Sequence, residues 1–152
     1  MRTHFAEVLA RESACLAGVT TGAMLASWRR RVVEELMTPR SPYVLALQQS
    51  GDVPDRADFL DQWREPIAET VDRLLQSRAT RDAPWPFARA PRADVDAQKT
   101  AVLILAALHG GSTLSRVAQD PRHLNAALDL ALVPLAATED SSPARTGNTL
   151  PR

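Results

Sequence analysis

The chain has 152 residues, the size of one domain, and is long enough to bury a core without disulfide or metal staples. Apolar residues at 45% and charged residues at 24% are globular proportions, and a formal net charge of zero removes any whole-chain attraction to nucleic acid or an anionic membrane. The single cysteine, Cys15, excludes an internal disulfide and cannot hold zinc alone. The longest unbroken apolar run, Ala101 to Leu108, is well short of the about 20 residues that cross a bilayer. The first residues lack the apolar core of a signal peptide. A cytoplasmic protein without membrane contact is therefore expected.

Period-2 alternation is missing and helical periodicity recurs, so the chain reads as all-α, a bundle of about five to six helices. The first helix is expected over residues 3–17, with Phe5, Val8, Leu9, Glu12 and Leu16 near one face. Gly18 and Gly22 bracket a weak point. A second helix, about 21–37, carries Met24, Leu25, Trp28, Val32 and Leu36, and is ended by Pro39 and Pro42. Its Arg29-Arg30-Arg31 run reads as a solvated flank, with Glu34 and Glu35 near enough to offset it. Residues 43–49 predict a short helical piece.

Residues 55–77 trace a longer helix whose stripe is Phe59, Leu60, Trp63, Ile67, Val71, Leu74 and Leu75. Pro66 within it predicts a kink or a fresh start. Residues 78–92 read as a basic, proline-rich linker in which Trp85 and Phe87 tuck onto the core. A central helix follows over 93–119. Its Ala101–Leu108 run is apolar on every face, so both sides need cover, one from this chain and one from more chain or a second copy. Gly110 and Gly111 sit where another backbone comes close. Asp120-Pro121 is a cap-and-start pair for a last helix with Leu124, Leu128, Ala131, Leu132 and Leu135 on its stripe and Pro134 straining its end. Residues 1–137 thus form one helical domain and residues 138–152 a disordered tail.

The segment Ala106-Ala107-Leu108-His109-Gly110-Gly111-Ser112-Thr113-Leu114-Ser115-Arg116, then Asp120-Pro121 and Leu124-Asn125-Ala126-Ala127-Leu128, resembles the C-terminal end of TetR-family transcriptional regulators. Phe59-Leu60-Asp61-Gln62-Trp63 with Leu74-Leu75 is similar to the family's preceding amphipathic helix, and Cys15-Leu16-Ala17-Gly18 to a segment near the start of the same domain. The resemblance covers about residues 56–136. It implies a ligand-binding and dimerisation domain that senses a small, mostly apolar effector, and whose last two helices meet those of a twofold mate in a four-helix bundle. It also implies operator DNA as a partner only where a helix-turn-helix is supplied from outside these residues, since none matches here. A headless interaction protein without ligand or DNA binding of its own is the alternative.

On that resemblance, Met24, Leu25, Trp28, Phe59, Trp63, Ile67 and His109 would line the effector cavity, the other reading being plain core. His109 is either a satisfied buried histidine or the polar anchor of the effector. Residues three and four beyond it are Ser112 and Thr113, so no metal site is expected. The homodimer interface would use Leu103, Ala107, Gly110, Gly111, Leu114, Leu124, Leu128, Ala131, Leu132 and Leu135. Nucleophile elbows, phosphate-cradling glycine loops and zinc-protease motifs are lacking, so neither catalysis nor a cofactor is expected.

Overall fold

Thr21 shows how local chemistry sets the first turn. Its backbone is extended and its hydroxyl accepts the Met24 N–H at 3.2 Å, capping the second helix after the first has ended at Ala17. The computed structural model describes residues 2–48, 53–82 and 96–136, and all the elements found there are helical. They are α1 (Arg2–Ala17), α2 (Gly22–Met37), α3 (Pro42–Gln48), α4 (Val53–Asp82), α5 (Ala97–Ala118), α6 (Arg122–Ala131) and α7 (Val133–Ala136). The expected tail, and Trp85 and Phe87 of the expected linker, lie outside the described residues.

Four local outcomes depart from expectation. Helix α4 runs unbroken through Pro66, so the proline does not mark a fresh start. The lost backbone bond is outweighed because the residues on both sides of it, Phe59 and Trp63 before and Ile67, Val71 and Leu74 after, are buried in one core. The same helix reaches Asp82, so residues 78–82 are helical and not linker, and Arg78 donates to the Pro134 carbonyl at 3.1 Å. The last helix divides at Leu132, which leaves helical geometry ahead of Pro134 and makes a seventh element. Within α5, residues Ala107–Gly111 form a π-turn, a one-residue insertion into the helical ladder.

The last helix starts one residue later than expected, at Arg122 with Pro121 in the cap position and Asp120 just before it. Gln119 closes α5 in the left-handed region at φ 53°, with the Asp120 N–H on the Ser115 carbonyl at 2.9 Å. Asp120 Oδ1 then accepts the Arg122 N–H at 2.9 Å, and the buried Ser115 hydroxyl accepts that of Leu124 at 2.8 Å.

Helices α1 and α4 run side by side in the same sense. Phe5 stacks on Phe59 near their starts at 4.5 Å, and Thr70 and Arg73 reach the Leu16 carbonyl near the end of α1. Helix α5 lies against α4 on one side and α6 on the other, while α2 and α3 close the remaining flank. The shared core joins Val8 and Leu16 of α1, Trp28 and Val32 of α2, Tyr43 of α3, Trp63 and Ile67 of α4, Ile104 and Leu108 of α5, and Leu124 and Leu128 of α6.

Helix α5 has two unlike faces. Ala101, Ile104, Leu108, Ser112 and Ser115 are buried, whereas Val102, Leu103, Leu114 and Val117 are exposed. By length and composition alone its 22 residues could cross a bilayer, a match that the shorter run Ala101–Leu108 conceals. In this fold the helix has one face in the core and one face uncovered.

Candidate functional site

Three groupings of side chains stand out: a buried carboxylate, a basic cluster and an apolar outer face. The carboxylate is Glu12, fully buried on the apolar face of α1. Its Oε2 accepts the indole N–H of Trp28 at 2.9 Å and of Trp63 at 3.2 Å. Its Oε1 accepts the Tyr43 hydroxyl at 2.6 Å and an Arg31 N–H at 3.2 Å. One carboxylate thus collects a donor or more from each of α2, α3 and α4. Burial, together with the neighbouring Glu12 charge and hydrogen bond, pushes the Tyr43 phenol far above its ordinary pKa, so it stays a donor. Burial also works against the Arg31 charge, but its bond to Cys15 and the nearby Glu12 carboxylate outweigh that and raise its pKa.

This arrangement decides what the expected cavity residues do. Trp28, Phe59, Trp63 and Ile67 are all buried, with Phe59 and Trp63 ring centres 5.7 Å apart. Leu25 is buried on the stripe of α2, and Met24 is 46% exposed, its sulfur accepting from Thr20. Both indole N–H groups are committed to Glu12. Two hollows lie elsewhere: one of about 440 Å³ between α4 and α5, lined by Arg64, Gln98, Lys99, Val102 and Leu103, and one of about 360 Å³ between α1 and α4 beside Pro66. Both open to solvent, and neither is lined by the seven residues expected to form the pocket.

His109 is part of the basic cluster. It sits in the π-turn of α5, half-buried, with Arg56 Nη2 of α4 3.0 Å from its Nε2. Burial, then the charges of Arg56 and Arg116, lower its pKa and hold the ring neutral. Burial lowers the pKa of Arg116 as well. His109 Nδ1 and Arg116 Nη1 are buried and have no hydrogen-bond partner.

The Arg29-Arg30-Arg31 run is not the solvated flank its charge suggests. Arg29 spans to α6, with Nη2 on the Asn125 carbonyl at 3.0 Å and Nη1 on Asp129 at 2.6 Å, while Arg31 turns in to Glu12. Arg30 alone stays on the exposed side, against Ser27.

The residues expected at a dimer interface divide between two surfaces. Ala107, Gly111, Leu124, Leu128, Ala131, Leu132 and Leu135 are buried within the single chain, where α5, α6 and α7 pack on the core. For Gly111 the reason is steric: a Cβ would stand 2.9 Å from Leu124 Cα and 3.3 Å from Ala127 Cβ, so the close backbone it accommodates is this chain's own α6. Leu103, Gly110 and Leu114 face outward. Beside them are residues the sequence analysis did not single out: Val102 and Val117 on α5, Leu130 on α6 and Val133 on α7, exposed by 50 to 83%. Arg56 and Arg116 were likewise missed. In sequence they read as ordinary helix-surface charges, and only the fold sets them about one imidazole.

No family model matches this chain, and no curated protein or solved structure does either.

Proposed function

We propose that the chain is the sensing and dimerisation domain of a TetR-like transcriptional regulator, a cytoplasmic homodimer whose DNA contact depends on a helix-turn-helix from outside these residues. The exposed apolar face carries this reading. Of the seven large hydrophobics exposed among the described residues, six lie on α5, α6 and α7, the segment that resembles the pairing helices of that family. Large exposed hydrophobics gathered on three successive helices point to an interaction site. A second copy presenting the same face would form an isologous contact, in which each patch covers its twin. Light scattering on the purified chain at micromolar concentration tests this: a dimer is expected, and a monomer refutes it.

One observation favours the second reading, an interaction protein that senses nothing. Trp28 and Trp63, the central candidates for a ligand wall, spend their polar edges on Glu12. An effector is therefore better sought away from the aromatic core.

A further inference from the structure

The Arg56–His109 contact settles where the protons are. Arginine stays protonated and has no acceptor, so Arg56 donates and His109 Nε2 accepts, at 3.0 Å. The proton of the neutral ring is then on Nδ1, which is buried and points at no acceptor. Seven residues further along α5, Arg116 Nη1 is a second buried donor without an acceptor. Neither arginine is ion-paired with any carboxylate among the described residues, whereas Arg11, Arg29, Arg31, Arg64 and Arg122 each are. Buried donors are normally satisfied. Here the imidazole has Arg56 against one nitrogen and an orphaned N–H at the other, and Arg116, near enough for its charge to act on the ring, carries a second orphaned N–H. What the cluster lacks is an acceptor with negative charge.

We propose that His109 and Arg116, with Arg56 positioning the imidazole, form the binding site of a small anion with carboxylate or phosphate oxygens, the polar end of the effector. The proposal rests on the sensing part of the reading above. Arg116 supplies a charge-assisted hydrogen bond, and His109 Nδ1 adds a neutral donor whose orientation Arg56 holds from the other side of the ring. The site lies at the π-turn and ties α4 to α5, the helix with the uncovered apolar face, so occupancy would bear directly on the helix that pairs the two copies.

The test is isothermal titration calorimetry of the whole chain in chloride-free buffer, with inorganic phosphate, sodium hexanoate and hexanol as separate probes. One of the two anions is expected to bind at one per chain, and which one does so separates phosphate from carboxylate recognition. Hexanol should bind at least about ten-fold more weakly than the anion, Arg116→Gln should weaken the anion by about ten-fold or more, the worth of one charge-assisted bond, and Arg56→Gln, which only loosens the ring, should weaken it by less. Arg116→Lys, which keeps the charge but not the fork, should fall between. On binding, the His109 ring titration followed by NMR should move to higher pH, because an adjacent anion favours the imidazolium. Failure of both anions to bind, hexanol binding as tightly as hexanoate, or full affinity in both glutamine variants overturns the proposal. Light scattering on the same samples keeps the readings apart: a dimer that binds neither anion loses the site and retains the interface, and a monomer that binds one does the reverse.

Discussion

The indole N–H of Trp63 on α4 meets Glu12 Oε2 on α1 at 3.2 Å, and the Trp28 indole of α2 shares the same oxygen at 2.9 Å. A buried carboxylate is costly unless its lone pairs are used, and here four donors use them. Glu12→Ala removes one acceptor and strands several donors at once, so it should destabilise by about 3–5 kcal/mol in urea unfolding. Trp63→Phe keeps the ring volume largely intact and leaves Glu12 its other partners, so its cost should be smaller, about 1–3 kcal/mol. Equal costs for the two variants would show that Glu12 is not the hub of this core.

The adjacent glycines of α5 should respond to alanine with opposite signs. At Gly111 a methyl would press on Leu124 Cα, which is backbone and cannot rotate away, so Gly111→Ala should destabilise by about 1–3 kcal/mol. At Gly110 an added Cβ has nothing within 4 Å. Gly110→Ala should therefore stabilise the single chain by roughly 0.5–1 kcal/mol through its helical preference. Denaturant midpoints measured at protein concentrations low enough to keep the chain monomeric give the comparison.

What was legible in the sequence was local. The stripe Met24, Leu25, Trp28, Val32 and Leu36 needs only a helical period, and all but Met24 are buried on α2. Asp120-Pro121 needs only local turn chemistry, and a helix starts there, one residue later than expected, with Asp120 accepting the Arg122 N–H. Glu12 was visible as a charge on an apolar face, but its partners come from α2, α3 and α4, and no spacing along α1 can name them. Arg29 and Arg31 look solvated next to Glu34 and Glu35, because a charge run does not reveal that Asn125, Asp129 and Glu12 lie within reach. Ala101–Leu108 is apolar all round. Its pattern therefore could not tell the face this chain covers from the face it leaves bare, and the π-turn further shifts the register of everything after it.

His109 gives the fold a pH dependence with a definite sign. Its folded pKa is lowered, by burial first and then by Arg56 and Arg116. Between that depressed value and the unfolded value of about 6.5, the unfolded chain binds more protons, so stability rises with pH in this window. The contribution is complete above the unfolded pKa and is lost as pH falls toward the folded one. Urea midpoints across this window should climb with pH in the parent chain, and the climb should be shallower in His109→Asn. Identical slopes would place the proton uptake on other groups. An anion at the site should likewise flatten the parent's slope, because it raises the folded pKa toward the unfolded one.

Charge on one surface and a cavity in the other separate the two places that the expected dimer residues occupy. Leu103 and Leu114 are 56% and 59% exposed, so charging them costs the single chain little. If the outward face of α5 is the pairing surface, the double variant Leu103→Asp, Leu114→Asp places like charges at the centre of an isologous contact, each facing its own copy. It should run as a monomer in light scattering while keeping the helical circular dichroism of the parent. Leu128 is fully buried, and Leu128→Ala should instead cost about 2–5 kcal/mol of folding stability, the range for emptying a core leucine site. The folded fraction of that variant should remain dimeric, because the outward face is untouched. A doubly charged variant that keeps the dimer mass would move the interface off α5. Monomerisation by Leu128→Ala with its stability intact would return the interface to the residues that the fold now assigns to its own core.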